Sequence, residues 1–378
     1  MERNTLKAIR QYLHQNPELS FQEFNTTRFI KKTLREWNIP FFSFKNLKTG
    51  GYADIGEGRP VYVFRADIDA LPIAEDARHR VKSQINGIMH ACGHDYHTAI
   101  GLGLLKYFKD TKGANKGTLR VIFQPGEEAA PGGAEKIINE PIWQDVRGII
   151  TIHVQPKIET GKFLLSYGPV QASSTSVKIT LLGPGGHTSK PSQTVDLIQV
   201  AGLFVVQLQS FLNQHKDPQD IIAFAFGSIH GGSTHNIIPD LITLQGTLRT
   251  LDHRVLKRSL QEIRTFCQSF AHLYKIKINV DFPTNCPPTI NDGALSQKFE
   301  SYMLSSGRGD RLLKPSRPSM GADDFSFYLQ TIPGLYLLVG GGGRGHLHSS
   351  GLELDENLLY PAVETLANFF IYLFEETT

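Results

Sequence analysis

Short runs of apolar residues that end abruptly in acidic or histidine side chains recur along the chain. Four of them have the pattern of buried strands, at residues 61–72, 118–128, 148–156 and 334–343. Segments between them, such as 97–109, have the spacing of helices. Uninterrupted apolar strands that alternate with helices favour an α/β domain with a mostly parallel sheet. Ligands of such sheets bind beyond the carboxyl ends of the strands, so we expect a site at that edge.

Two helices are predicted at the start of the chain. Residues 3–36 carry a helical pattern that breaks near Pro17. Ser20 and Glu23 have the spacing of a capping box for the second helix. We therefore expect these two side chains to bond to the backbone at the start of that helix.

Residues 173–284 follow a different pattern. A strand of alternating polarity, an apolar helix over 194–214, two strands, a second helix and a last strand give the order βαββαβ. This order is typical of a ferredoxin-like unit. Because the apolar-strand pattern resumes afterwards, the unit is predicted to be inserted into a discontinuous first domain formed by residues 1–172 and 285–378.

Composition and charge limit the partners and the compartment. The 378 residues include 39 basic and 36 acidic side chains, and this small surplus gives no reason to expect nucleic acid or a membrane surface as a partner. No apolar run approaches the roughly 20 residues of a membrane helix, and the N-terminus lacks the apolar core of a signal peptide. Three scattered cysteines do not suggest a disulfide framework. We expect reduced thiols and a cytoplasmic protein.

The segment MHACGHDYH, from Met89 to His97, concentrates side chains that bind metals or move protons. Cys92 and His94 are two residues apart, so a thiolate and an imidazole can face one ion, a combination that suits zinc. This pair alone is weak evidence, because buried structural cysteines are common. Asp95 and His97 are expected to support the loop or to begin the next helix.

Three further candidate ligands lie at or just beyond the predicted strand ends: Glu128, His153 and His348. With Cys92 and His94 they offer one sulfur, three imidazoles and one carboxylate, which exceeds the four ligands of a typical single zinc site. The set predicts two divalent ions about 3.5–4 Å apart that share one ligand. The metal stays open among zinc, manganese, cobalt and nickel.

Glu127 directly precedes Glu128 in the sequence GEE. If Glu128 is held on a cation, Glu127 is available to take a proton from a metal-polarised water and return it to a leaving amine. The alternative interpretation of the two glutamates is a solvated acidic loop. The preceding apolar strand and Pro125-Gly126 argue against it. Asp69 is a candidate for orienting a ligand histidine, or else a capping or turn residue before Pro72.

Other motifs carry weaker signals. The sequence GGGGRG at 340–345 lacks the lysine and the Ser/Thr of a phosphate-binding loop. A Cys-His protease with Cys92 as nucleophile is open, but it leaves the other candidate ligands without roles. His187, Asn236 and Arg249 indicate little by pattern alone, although a guanidinium can bind a carboxylate through two hydrogen bonds.

Eight segments carry a family resemblance that covers nearly the whole chain. They are LHQNPELSFQE, RADIDALP, MHACGHDYHTA, FQPGEEAAPGGAEKI, HVQP, GPGGHTSKP, GTLRTLD and GADDFSFYLQ. The chain resembles the dinuclear metallo-amidohydrolases that include hippurate hydrolase, plant auxin-conjugate hydrolases, bacterial aminoacylases and N-acetyl-diaminopimelate deacetylase. Ser192 and Asp323 depart from the pattern, since relatives often carry histidine and glutamate there, and this leaves the substrate preference open.

The resemblance implies roles for the candidate residues. It implies that Cys92 bridges two metals, that Glu127 is the general base and acid, and that the remaining ligands are His94, Glu128, His153 and His348. It further implies that residues 173–284 form a lid and dimerisation domain, and that the apolar helix pairs with its copy in a homodimer. His187 would stabilise the oxyanion in the neighbouring subunit's site, and Asn236 and Arg249 would hold the substrate.

The expected reaction is hydrolysis of the amide bond in an N-acyl amino acid or a related small acylated metabolite. A metal-activated water would be the nucleophile. Two alternatives stay open: a dipeptidase or carboxypeptidase on the same metal centre, and a non-catalytic metal-binding protein on this fold.

Overall fold

The computed structural model describes residues 3–111, 116–315 and 317–376. The chain divides into two compact units. The first consists of Met1–Val170, Ile290–Arg317 and Asp324–Thr378, and the second of Gln171–Thr289 and Pro318–Asp323. The insertion expected at residues 173–284 lies inside the second unit.

The helices and strands follow one another from the N-terminus with these bounds. The α-helices are α1 (Arg3–Gln15), α2 (Phe24–Glu36), α3 (His94–Thr111), α4 (Gly133–Ile137), α5 (Leu197–His215), α6 (His253–Tyr274), α7 (Gly293–Ser305) and α8 (Leu359–Glu376). The strands are β1 (Gly51–Gly56), β2 (Val61–Asp67), β3 (Thr118–Gln124), β4 (Val146–Gln155), β5 (Phe163–Leu164), β6 (Gly168–Gln171), β7 (Ser174–Leu182), β8 (Gly186–His187), β9 (Ile222–Gly231), β10 (Ile237–Ile238), β11 (Leu241–Thr250), β12 (Lys277–Asp281), β13 (Asn285–Cys286), β14 (Thr289–Asn291), β15 (Leu312–Leu313) and β16 (Gly334–Gly340).

The first unit is built on a seven-stranded sheet in the order β1-β3-β2-β4-β16-β5-β15. Strands β3, β2, β4 and β16 run parallel to one another. The antiparallel pairs in this sheet are β1 with β3 and β5 with β16. The prediction of an α/β fold with a mostly parallel central sheet is therefore confirmed.

Both faces of this sheet are covered, as expected for parallel strands. All seven residues of β2 are buried. Tyr62 and Phe64 face the larger core, which includes side chains of α1, α3 and α8. Val63, which points to the opposite face, packs in a second core with Ala134 of α4 and Tyr328. Burial on both faces explains why the strand sequences are continuously apolar.

The second unit contains an antiparallel sheet in the order β12-β7-β11-β9. Its main elements follow the chain order β7-α5-β9-β11-α6-β12. Helices α5 and α6 contact each other and β11, and Phe204 and Phe266 meet in their shared core. Strand β9 forms one edge of this sheet.

The capping box predicted for Ser20 and Glu23 is wrong. Glu23 does occupy the position before α2, but its side chain makes no capping bond to that helix. The hydroxyl of Ser20 donates to Asp69 Oδ2 at 2.7 Å, and the Glu23 carboxylate accepts the Gly126 N–H at 2.9 Å. Partners far along the chain hold both side chains.

The predicted break near Pro17 is confirmed, since α1 ends at Gln15 and α2 begins at Phe24. The strand predicted over 61–72 is shorter than expected and ends at Asp67. Asp69 therefore lies just past the strand end. None of the helices in the described part of the chain is both long and apolar enough to cross a membrane.

Candidate metal centre

The five candidate ligands lie around the carboxyl ends of β2, β3, β4 and β16. Cys92 and His94 lie in the turn that begins α3, Glu128 follows β3, His153 is near the end of β4, and His348 is in the loop after β16. Gly93 makes the tight turn possible, since its φ is +84° and an added Cβ would lie 2.3 Å from Val154. Because the carboxyl ends of neighbouring parallel strands lie at the same edge of the sheet, candidate ligands that are far apart in sequence lie close together there.

Cys92 is at the centre of this group. Its Sγ lies 3.3 Å from His153 Nε2 and 3.2 Å from His348 Nε2. His348 Nε2 also lies 3.2 Å from Glu128 Oε1. His348 has a φ of +62°, an uncommon backbone conformation for a residue with a side chain.

Two overlapping sets of ligand atoms share Cys92. In one set the atoms of Cys92, His94 and His153 all lie within 4.8 Å of one another, and in the other those of Cys92, Glu128 and His348 do. Two ions with one common ligand require this arrangement. The five residues therefore suit a pair of cations bridged through sulfur.

One buried nitrogen without a hydrogen-bond partner among the described residues is evidence for a cation-binding site here. His94 Nε2 has no hydrogen-bond partner among the described residues, although the side chain is 1% exposed. The opposite ring nitrogen, Nδ1, lies 3.0 Å from the Asp69 carbonyl and 3.2 Å from its Oδ1. Nδ1 must carry a hydrogen to donate to these oxygens, so Nε2 is the nitrogen that a neutral His94 would offer to a cation.

The charges around the centre also favour a cation. Burial raises the pKa of the Cys92 thiol well above its usual range, and Glu128 and Glu127 raise it further. Burial lowers the pKa of His94, but Asp67 and Asp69 outweigh this effect and raise it to about 10. In the absence of a cation both shifts favour the protonated forms of these groups. Metal binding would replace these protons, because thiolate and neutral imidazole are the ligating forms.

Asp69 connects two of the candidate ligands, His94 and Glu128, through hydrogen bonds. Its Oδ1 faces His94 Nδ1, and its Oδ2 accepts the Ser20 hydroxyl and, at 3.0 Å, the Glu128 N–H. One carboxylate thus fixes the orientation of a candidate ligand and the backbone of another. Carboxylates that hold ligand histidines commonly do this in metal sites.

Glu127 and Glu128 both face the centre, although they are adjacent in sequence. Oxygens of both carboxylates lie within 4.8 Å of each other and of a His94 nitrogen. Glu127 Oε2 is 3.9 Å from His94 Nε2, and its side chain is 11% exposed. Gly126, with a φ of +65°, turns the chain after β3 so that both glutamates reach the same space.

His97 and Asp95 belong to the support of the loop. His97 Nδ1 lies 2.6 Å from Asp67 Oδ1, and its Nε2 accepts the Val154 N–H at 3.1 Å. Both ring nitrogens are therefore engaged within the protein. Asp95 Oδ2 accepts hydrogen bonds from Arg10 and His14, each at 2.8 Å, and anchors the start of α3 to α1.

The residues with weaker sequence signals lie in the second unit. His187, on β8, is exposed, and its Nδ1 accepts the Ser189 N–H at 3.1 Å. Asn236 is also exposed, and its carbonyl accepts the Thr188 N–H. His187 and Asn236 therefore lie close together. Arg249, on β11, is half-buried and donates to the Met320 carbonyl at 2.7 Å.

Sequence reasoning missed a buried charge network behind the ligands. Arg65 bonds to Asp67, to Gln124 Oε1 at 3.0 Å and to Asp324 Oδ1 at 2.8 Å. Asp67 in turn receives the His97 hydrogen bond. A charged residue inside an otherwise apolar strand is the signal that identifies such a network from sequence.

The glycine-rich loop after β16 does not form an anion cradle. The N–H groups of Gly340, Gly341, Gly342 and Gly343 donate to backbone carbonyls of residues 155–162. A phosphate-binding loop needs such N–H groups to face the ligand. The loop instead carries the chain to His348.

The family assignment follows from comparison with known proteins. The chain belongs to Peptidase family M20/M25/M40, whose model matches residues 63–371. The resemblance inferred from the sequence motifs is therefore confirmed, and the protein is a metal-dependent hydrolase that acts on amide bonds.

Individual relatives match along nearly the whole chain. An N-acetyl-L-cysteine deacetylase of Bacillus subtilis (strain 168) is 36% identical over 97% of this chain and 86% of its own length. Thermostable carboxypeptidase 2 of Saccharolobus solfataricus is 32% identical over 93% of this chain and 91% of its own. The crystal structure of the Bacillus subtilis YXEP protein, a dinuclear metal-binding peptidase of the M20 family, superposes with a TM-score of 0.86 at 31% identity and covers 99% of this chain and 98% of that one.

Proposed function

We propose that the protein hydrolyses the amide bond of N-acyl amino acids, such as N-acetyl amino acids, and releases a carboxylic acid and a free amino acid. The single observation that carries this proposal is the sharing of Cys92 between two sets of ligand atoms beside Glu127. The similarity to an N-acetyl-L-cysteine deacetylase supports an acylated amino acid as the substrate class.

In this proposal the five ligands hold two divalent ions, drawn from zinc, manganese, cobalt and nickel. Cys92 is the bridge, and the other ligands are His94, Glu128, His153 and His348. Such a pair of ions supplies a polarised substrate carbonyl and a water that is acidic enough to act near neutral pH.

The protein's own side chains then move the protons. Glu127 Oε2, close to His94 Nε2, accepts a proton from the attacking water and delivers it to the nitrogen of the leaving amine. Asp69 keeps His94 in the tautomer that presents Nε2 to the centre. The arrangement needs no covalent intermediate with Cys92.

We further propose that the second unit is a ferredoxin-like lid and dimerisation domain. Its element order and its strand order support the ferredoxin-like description. In this proposal His187 stabilises the oxyanion in the site of a neighbouring copy, Asn236 helps to hold the substrate, and Arg249 binds its carboxylate.

The proposed homodimer has a physical basis in the second unit. In the described part of the chain, strand β9 is the outermost strand on one side of its sheet, and Ile229 on this strand is 55% exposed. Val206 on α5 is 69% exposed. Open strand edges and exposed apolar side chains are features that pairing with a second copy would cover. None of the three cysteines forms a disulfide, which accords with the cytoplasmic location that we propose.

A dipeptidase or carboxypeptidase is the second candidate function. In this alternative the same metal centre would cleave a peptide bond. The similarity to a carboxypeptidase supports this second candidate. A screen that measures amine release from N-acetyl amino acids and from dipeptides, with and without a chelator, separates the two. Release from dipeptides alone would replace the leading proposal, and no release from either class would favour a non-catalytic metal-binding protein.

The roles of the two adjacent glutamates provide the test of the mechanism. Glu128→Gln should lower metal content, and lose activity for that reason. Glu127→Gln should retain both ions and lose about 10²–10⁴-fold in kcat with little change in KM, because a general acid–base group contributes about that much. Metal content and turnover are to be measured on the same preparations. Normal turnover of Glu127→Gln, or loss of its metals, would show that the roles are wrongly assigned.

A further inference from the structure

Glu23 is a fully buried carboxylate outside the proposed set of ligands. Its Oε1 accepts the N–H groups of Phe21, at 2.8 Å, and Gly126, at 2.9 Å. Its Oε2 accepts the hydroxyl of Thr49 at 2.7 Å. A single side chain thus joins three segments that are distant in sequence.

Capping of α2 does not explain this carboxylate. Glu18 supplies that function, since its Oε1 accepts the Asn25 N–H at 3.0 Å and its Oε2 accepts the Thr26 N–H at 2.8 Å. Glu23 makes no side-chain bond to the helix. Burial raises the pKa of Glu23 to about 7, against the opposing hydrogen bond from Thr49. Ionising this carboxylate is therefore costly, and one of its partners, Gly126, lies at the turn that carries Glu127.

Residues 125–128, the glutamate turn, rest directly on the N-terminal segment. Gly126 has a φ of +65°, and a Cβ at this position would lie 2.5 Å from the ring of Phe21. Glu23 holds the Gly126 N–H, and Ser20 holds Asp69, which holds the Glu128 N–H. The backbone is therefore fixed on both sides of Glu127.

We propose that Glu23 is a positioning residue for Glu127, an inference that rests on the proposed function. By holding the N–H of Gly126, it fixes the backbone from which Glu127 extends towards His94 Nε2. Misplacement of a reacting group by about 1 Å can cost about 10²-fold in rate. Loss of the Glu23 carboxylate should therefore reduce kcat while the metal ligands stay in place.

The test compares Glu23→Ala, Glu23→Gln and Glu18→Ala in the full-length, metal-loaded protein. Glu23→Ala should lower kcat by about 10–100-fold with KM changed less than about threefold and both ions retained. Glu23→Gln should keep kcat within about threefold of wild type, because its amide oxygen still accepts the Phe21 and Gly126 N–H groups. Glu18→Ala is the matched control, since it removes two backbone hydrogen bonds beside Glu23 but none to the glutamate turn.

Several results would overturn the inference. They are normal kcat in Glu23→Ala, an equal loss in Glu18→Ala, or a Glu23→Gln variant as impaired as Glu23→Ala. If Glu23→Ala does not fold, Glu23→Asp, which keeps the charge but shortens the reach, should show the same loss of kcat; normal kcat would refute the inference.

Hydrogen exchange makes the test independent of the substrate. The amide of Gly126 should exchange faster in Glu23→Ala than in wild type or in Glu18→Ala, because only Glu23→Ala removes its acceptor. If wild-type protein hydrolyses no substrate but this exchange pattern holds, the proposed function fails while the positioning contact stands. If wild-type activity is present and exchange and kcat are both unaffected in Glu23→Ala, the inference about Glu23 fails and the proposed function stands.

Discussion

Replacing Arg65 by methionine tests the charge network behind the candidate metal centre. The guanidinium is completely buried within β2 and bonds to Asp67 and Asp324, whose side chains are 0% and 8% exposed. Methionine fills much of the same volume but removes the guanidinium that both carboxylates share, while Asp67 keeps its contacts with His94 and His97. Arg65→Met therefore leaves buried negative charge only partly compensated, with a comparatively small change in packing.

The expected loss is large. Removing one partner of a buried ion pair costs about 3–5 kcal/mol. Each kcal/mol lowers Tm by about 2–4 °C in domains of roughly 150–250 residues, so Tm should fall by about 6–20 °C. Without the guanidinium the pKa of Asp67 should be higher than in wild type, because Arg65 is one of the charges that lower it against the effect of burial. The deficit should therefore be greatest at high pH and should shrink as the pH falls and Asp67 takes up a proton.

Thermal unfolding of the metal-free protein from pH 5 to pH 8 measures this effect. Adding Asp324→Asn to Arg65→Met should recover part of the stability, with a coupling of about 1–3 kcal/mol. Arg59→Met is the control, because the Arg59 side chain is 70% exposed and its ion pair with Asp145 should contribute less than about 1 kcal/mol.

Two outcomes would refute this reasoning. One is a fall in Tm for Arg65→Met no larger than that for Arg59→Met. The other is a deficit that grows as the pH falls. Either would mean that the network is not held together by the charge of Arg65.

Two further predictions concern acid stability and assembly. Although burial raises the pKa of Glu75, hydrogen bonding and charge from His14 lower it to about 2 from an ordinary 4.5, so its contribution to stability is complete above about pH 4.5 and is lost as the pH falls towards 2. Glu75→Gln should therefore destabilise the protein at pH 7 by up to about 3 kcal/mol, and its urea midpoint should approach that of wild type in acid; a pH-independent difference would contradict this. Light scattering should show a homodimer at working concentration that Ile229→Lys on the edge strand β9 dissociates, and a monomeric wild type would contradict the proposed assembly.

Much of the fold could be predicted from the sequence because the information is local. A strand buried on both faces of a parallel sheet must be continuously apolar, and it must stop where polar residues begin. The runs that end near Asp67, Gln124 and Gly340 satisfy this rule. The positions of polar residues just after these runs also indicated which edge of the sheet would carry the site, since parallel strands share that edge.

Tertiary structure decided what each polar side chain does there. His94 and His97 lie one helical turn apart in the same motif, yet Asp69 leaves Nε2 of His94 facing the centre, whereas Asp67 and Val154 occupy both nitrogens of His97. No spacing in the motif distinguishes these two cases. The difference arises from partners on other strands.

The same reason explains the error at the start of α2. Ser20 and Glu23 have the local spacing of a helix cap. This spacing suggested the N-terminus of the nearby helix as their hydrogen-bond partner. In the folded chain Asp69 and Gly126 lie within hydrogen-bond reach and hold these side chains instead. The sequence by itself determined the elements and the supply of ligating groups, because periodicity and residue chemistry are local properties. Only the tertiary structure decided which groups face the candidate metal centre and which support it, because a hydrogen bond depends on distance in space and not along the chain.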